Sequence, residues 1–479
     1  MKKTLFLFLL TAALCSKSEA QEFASRSEIR LHALICNNMV MQRNERVPVW
    51  GWGTPKEKIR VTTSWDGKSV YAWVDSLSRW KAEVDTPEAG GPYTITVSGR
   101  YDVIISNVMI GDVWFCSGQS NMEWSAMSAG GKGIPNRAEE LEKAERYPAL
   151  RLFAVQKNAA ETPQENCNGA WSVSGGAAAQ WFSSVAQFFG QTLNDELKIP
   201  IGLIGSYWGG TAAEVWTPAE TVEGDPLLRE DSKVHRQDPR WFYPIAPGTA
   251  YNGMVHPVTP FPVAGAIWYQ GESNCKVYEN YDRLLTALIG DWRKAWNREF
   301  PFYIVQLSPY PDNDKKPGAN IGLRHNQDRV SRQVPDCGMV VISDVGDAKD
   351  IHPRDKRPVG ERLAYTALAD HYRLPQFEAK KCPRYEDLTV KGRKAVVTFS
   401  ATGGALRTAD GTAPRYFELA GEDLRFHPAQ AKIDGDRIIL ESEQVKKPYA
   451  VRYAWGSLVF GDILNKNGMP LGAFSSNLP

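Results

Sequence analysis

The spacing of apolar and polar positions divides the chain into three stretches. From about residue 28 to 106, Val47–Trp52, Ile59–Thr63, Val70–Val74 and Tyr93–Val97 are short β-branched or aromatic runs, and several alternate apolar with polar residues. Turn residues lie between them, at Asp66-Gly67, Pro87, Gly90-Gly91-Pro92 and Ser98-Gly99. This pattern predicts a small β-sandwich. From about 107 the strand-like runs Val108–Cys116, Ile201–Ile204, Val263–Tyr269, Phe302–Leu307 and Met339–Ser343 alternate with helical stretches. Those stretches are Ala138–Ala144, Val185–Leu197, Tyr281–Trp296 and Gly360–Tyr372. Such alternation is the mark of an α/β sheet. After about 375 the pattern returns to β, with Ala395–Phe399, Tyr416–Leu419, Arg437–Leu440 and Ala450–Trp455. The expected units are 21–106 (N-terminal β-sandwich), 107–374 (α/β) and 375–479 (C-terminal, β-rich), in keeping with several domains in 479 residues.

The first twenty residues have another period. Lys2-Lys3, the apolar run Leu5–Leu14 and the small residues of Ser18-Glu19-Ala20 form a signal peptide, 1–20, with cleavage expected after Ala20. The run is too short to span a bilayer as a mature helix, and no later stretch is apolar enough. The mature chain is therefore expected to be exported and soluble, periplasmic or extracellular. Six cysteines follow the signal: Cys36, Cys116, Cys167, Cys275, Cys337 and Cys382. An exported chain permits disulfides, but an even number does not establish them.

Charge removes some function classes. Net charge is +1, with 56 basic and 55 acidic residues mixed along the chain. That leaves no basic face for nucleic acid. The seven histidines are scattered without an HExxH, and Asp344, Asp347 and Asp350 lack the spacing of an EF-hand. No metal or other cofactor is expected.

What remains is a set of strand ends, where open α/β sheets place their sites. The first strand ends at Ser117-Gly118-Gln119-Ser120-Asn121-Met122. The second ends at Trp208-Gly209-Gly210-Thr211, the third at Gln270-Gly271-Glu272-Ser273-Asn274, and the fourth leads into Ser343–Pro353. A serine after a glycine is, alone, most often a turn residue. Together the four ends hold the parts of an acyl-transfer site: hydroxyl Ser120, imidazole His352, and carboxylate Asp350. The N–H groups of Ser120 and Gly210 and the amide of Asn274 are candidate oxyanion donors.

These blocks resemble the sialate O-acetylesterases, within the SGNH (GDSL-like) hydrolases. Tyr251-Asn252-Gly253-Met254, His256-Pro257 and Val451–Trp455 add to the likeness, which runs from about Met39 to Phe474. The resemblance implies a flavodoxin-like three-layer α/β/α catalytic domain with added β-sandwich-like domains. It implies removal of O-acetyl groups from sialic acids through Ser120 and His352, without metal. Many SGNH hydrolases place their acid three residues before the histidine, where this chain has Lys349. Asp350 is favoured, Glu272 is its rival and Asp347 stands behind both. Gln270 competes with Asn274 for the oxyanion. Gln119, Gly209, Gln270 and Glu272 are expected to touch substrate, and Arg324, Arg354 or Lys349 to meet the sialate carboxylate. The alternatives are an acetylesterase for xylan or another acetylated glycan, and a carbohydrate-binding protein on a degenerate hydrolase scaffold.

Overall fold

The computed structural model describes residues 29–128, 133–237, 241–312 and 316–476. The expected signal peptide, 1–20, lies outside them. The chain is a mixed α/β structure with a central mixed sheet and further β-sheets on either side in sequence. Seven strands make the central path: β1 (Asp102–Gly118), β2 (Leu150–Ala154), β3 (Trp171–Val173), β4 (Ile201–Tyr207), β5 (Gly265–Tyr269), β6 (Phe302–Val305) and β7 (Cys337–Val340). Their order is β3-β2-β4-β1-β5-β6-β7. All neighbours are parallel except β3, which runs antiparallel to β2.

β1 organises this sheet. Its seventeen residues are longer than the expected Val108–Cys116 because the strand serves two units. Its first half pairs with Gly90–Ser98 and, in parallel, with Val40–Gln42. Its second half lies between β4 and β5. The expected boundary at 106/107 therefore falls inside one strand, and the N-terminal sheets share a continuous apolar core with the central one. Side chains alternate faces along a strand. Trp114 meets Phe189 of the helix Ser184–Leu197, while its neighbour Phe115 meets Trp292 of the helix Tyr281–Trp296. Each face of β1 is thus covered by a helix whose apolar stripe was legible in sequence.

The C-terminal stretch forms two four-stranded antiparallel sheets around a second core, joined by Ile321 from the helix Ala319–Gln333. That helix was not expected. It has few apolar residues, yet Asn320, Arg324, Gln327, Asp328 and Ser331 are buried on it. The six described cysteines are free thiols.

Asp112, 2 % exposed, ties the units together. Its carboxylate accepts from Gln42 (2.8 Å), from Arg43 (2.9 and 3.1 Å) and from Tyr372 (2.8 Å), just past the last helix of the α/β unit. Removing one partner of a buried charge network leaves the others desolvated and unpaired. Asp112→Ala is therefore expected to lose about 3 kcal/mol of stability, seen in calorimetry as a lower unfolding midpoint. An unchanged midpoint contradicts the clamp.

Candidate active site

Gly118 closes β1 at φ +145, and a Cβ there would lie 2.1 Å from the Tyr269 carbonyl oxygen at the end of β5. Only glycine permits so close a backbone approach. Gln119 follows, its N–H on the Tyr269 carbonyl at 3.1 Å, and the chain turns into a single helical turn, Ser120–Glu123. Ser120 is thereby held, half-buried, at the carboxyl end of the central strand.

His352 arrives from the loop before the last helix. Its Nε2 lies 2.9 Å from Ser120 Oγ. The backbone N–H of His352 donates to Asp350 Oδ1 at 3.0 Å, a local Asx-type turn that curls the carboxylate back toward the ring. The same oxygen is 3.6 Å from His352 Nδ1. Trp124 stacks on the imidazole, with centroids 5.0 Å apart and an interplanar angle of 21°. Two charge-assisted bonds of 2.5 and 2.7 Å from Arg362 to Asp344 anchor the start of the loop.

Glu272 sits elsewhere in the site. Its Oε1 accepts from Asn121 Nδ2 at 2.5 Å, and burial raises its carboxyl above the usual range. Asn121 also donates to the Ile351 carbonyl at 3.0 Å and accepts from Lys356 Nζ at 2.5 Å. One amide thus links the residue after the serine, the residue before the histidine, Glu272 and a buried lysine.

The glycine turn presses on Ser120 from the second strand end. A Cβ on Gly209 would lie 3.2 Å from Ser120 Cβ. The Gly209 N–H is held by Glu123 at 2.6 Å, and Lys157 in turn pairs with Glu123 at 2.6 Å. Gly210 has φ +85, and a side chain there would strike the Tyr243 ring. Its carbonyl accepts from Ser273 Oγ at 2.9 Å, which joins this turn to the Gln270–Asn274 turn.

The amides of that last turn are engaged elsewhere, against expectation. Asn274 Oδ1 accepts from Ala213 N (2.9 Å) and Gln270 Nε2 (2.7 Å), and its Nδ2 donates to Glu214 (2.9 Å). Gln270 Nε2 also donates to the Thr211 carbonyl, and its Oε1 accepts from Tyr281 at 2.8 Å. Both side chains have no exposed surface. Gln119, expected at the substrate, is 3 % exposed and accepts from the N–H groups of Gly271 and Ser273. These amides brace the turns because buried polar groups must be paired.

Residues 110–369 match the profile of a family described as carbohydrate esterase, sialic acid-specific acetylesterase. The chain belongs to this family. The human sialate O-acetylesterase is 30% identical over 379 residues, covering 72% of this chain and 71% of that one. The Rattus norvegicus sialate O-acetylesterase is 30% identical over 407 residues, covering 72% and 73%. The crystal structure of a carbohydrate acetylesterase from Xanthomonas citri superposes with a TM-score of 0.82 at 34% identity, covering 94% of this chain and all of that one. The chain is thus a carbohydrate esterase.

The expected cations do not converge on the esterase's serine. Arg324 is 1 % exposed and points to the C-terminal unit, donating to the Gly456 carbonyl. Arg354 donates to the Gly133 carbonyl, and Lys349 is exposed on the loop. Asp347 accepts from the Lys349 N–H at 2.8 Å. A cavity of about 550 Å³ opens beside Glu272 and Asp350 and is lined also by Tyr269, Tyr310, Lys276 and Lys316. Trp124 and Lys356 went unread in sequence; their positions at helical spacing from Ser120 and His352 carry no signal until the loop is folded. Asn274→Ala is expected to lower the unfolding midpoint by exposing unpaired partners, each worth about 1–3 kcal/mol. An unchanged midpoint with turnover down about 100- to 1000-fold would instead make Asn274 an oxyanion donor.

Proposed function

We propose that this esterase removes O-acetyl groups from sialic acids by a serine-dependent, metal-independent acyl transfer. Ser120 Oγ attacks the acetyl carbonyl carbon as its proton passes to His352 Nε2. The oxyanion is received by the N–H groups of Ser120 and Gly210. Collapse expels the sugar alcohol, which takes the proton from Nε2; water, giving its proton to Nε2, then attacks the acetyl-serine, and cleavage of the bond to Oγ releases acetate as Oγ recovers that proton. The observation that carries this reading is the 2.9 Å contact between Ser120 Oγ and His352 Nε2 at a glycine-crowded strand end. The fold is read as the flavodoxin-like, three-layer SGNH arrangement, supported by the strand order β4-β1-β5-β6-β7 and by helices against both faces of β1. The chain is read as exported after cleavage behind Ala20, with the β units flanking the catalytic one.

Asp350 is assigned as the acid behind His352. The support is its 3.6 Å approach to Nδ1 and the local turn that aims it, whereas Glu272 is turned to Asn121. A catalytic hydrogen bond of this kind is often long without substrate and shortens in the reacting complex. The cavity beside Asp350 is of a size for one sugar. Lys276 and Lys316, the latter paired with Glu279, line it beside Asp312 and Asp347 and are further candidates, with Arg324, Arg354 and Lys349, for a sialate carboxylate.

On 4-nitrophenyl acetate, Ser120→Ala is expected to lose about 10⁴-fold or more in turnover. Asp350→Asn is expected to lose more than Glu272→Gln. Retained activity in Ser120→Ala removes the nucleophile assignment, and the reverse order of the two acid variants removes Asp350. Acetate release from 9-O-acetyl sialic acid is expected to exceed release from acetylated xylan; the opposite preference selects the neutral-glycan reading.

A further inference from the structure

Lys356 is a charged side chain at this site that the acyl-transfer scheme leaves without a role. It has no exposed surface, yet it carries an amine. Its Nζ donates to Asn121 Oδ1 at 2.5 Å and lies 5.6 Å from the Trp124 ring and 5.3 Å from the Tyr269 ring. The charges facing it are Glu272 from the turn after β5, and Asp350 and Asp355 from its own loop. The phenol of Tyr269 lies beside it, and the Trp124 ring that it approaches also stacks on the imidazole of His352. Burying an ammonium is costly unless it is paired and bonded. Its position is therefore unlike that of a surface lysine, and the bonds it makes lead to the reacting pair.

An amide can be placed either way round, and here the lysine fixes it together with two acceptors on its other side. Because Nζ must meet an acceptor, Asn121 presents its oxygen to Lys356 and its NH₂ to Glu272 and to the Ile351 carbonyl. Asn121 adjoins Ser120, and Ile351 adjoins His352. The amide is thus a strut between the serine turn and the histidine loop, and Lys356 holds the oxygen end of it. Trp124 has the same dependence, with the ammonium against its ring and the His352 imidazole stacked on it.

Resting on the assignment of Ser120 and His352 as the reacting pair, we propose that Lys356 is a positioning residue for the esterase reaction, locking the Asn121 amide so that the serine and histidine stay in register, and placing a buried positive charge near the imidazole. Burial lowers the Lys356 amine to about 7, while Glu272, Asp350 and Asp355 favour its charged form. A nearby cation disfavours protonation of His352, so removing it raises the pH at which the base is lost to protonation.

The test is a set of three substitutions in the full chain, with active serines counted by fluorophosphonate labelling. Lys356→Met is expected to lower kcat about 100-fold with KM little changed. It is also expected to move the acidic limb of the kcat/KM profile upward by about half a pH unit. Lys356→Gln restores a donor without the charge, so kcat partly recovers while the limb stays displaced. Lys356→Arg keeps the charge and holds the limb near its original place. A Met variant with parental kcat per active serine and an unmoved limb overturns the proposal. So does a drop in unfolding midpoint alone across all three. If the Met variant does not fold, the Gln and Arg pair decides, since equal limbs in those two remove the charge role. Failure of the underlying site reading is separate, because it is reported by activity that survives Ser120→Ala.

Discussion

A backbone that must set a hydroxyl at the buried end of a strand has no space for a side chain where it turns. At Gly118 that constraint is met by a residue whose Cβ would overlap the Tyr269 carbonyl. Two parallel strands therefore end in contact, and the turn after β1 is pinned to the end of β5 by the Gln119 N–H. Gly209 repeats the condition from the next strand, pressed against Ser120 itself. The geometry of the serine is thus a consequence of how closely three strand ends can approach. It depends on glycine, and on the buried amides of Gln119, Gln270 and Asn274 that tie those ends together.

The polar groups around this centre fall into two classes with different chemistry. One braces. Gln270, Asn274, Glu214 and Tyr281 form a buried network in which burial alone would raise the Glu214 carboxyl, but His235 and Asn274 hold it below its usual value. The other class is set around Ser120 and His352: Asp350 beside the imidazole, Trp124 stacked on it, and Asn121 between Glu272 and Lys356. Glu272 and Lys356 are both pushed by burial toward their neutral forms.

Much of this was legible in the chain. Ser120, Gly210, Asp350 and His352 stand at strand ends that apolar runs and turn residues mark plainly. The helices Ser184–Leu197 and Tyr281–Trp296 show apolar residues at helical spacing. What escaped did so for physical reasons. The helix Ala319–Gln333 has no apolar stripe, because its polar face is satisfied by neighbours: Gln327 donates to the Gln270 and Val305 carbonyls, and Arg324 to Gly456. The length of β1 was hidden because one strand serves two units. Asn274 and Gln270 read as oxyanion donors because an amide next to a turn looks alike in sequence whether it faces substrate or a buried carboxylate. The candidate cations were picked by nearness in sequence, whereas the cavity is lined by lysines from other loops.

The central claim is that one hydroxyl at the end of β1 is the nucleophile. The most direct measurement is mass-spectrometric mapping of the adduct left by a fluorophosphonate on the intact esterase. The account predicts a single phosphonylated residue, Ser120, with labelling abolished in His352→Ala. An adduct on any other residue, or an active esterase that takes no label, contradicts it.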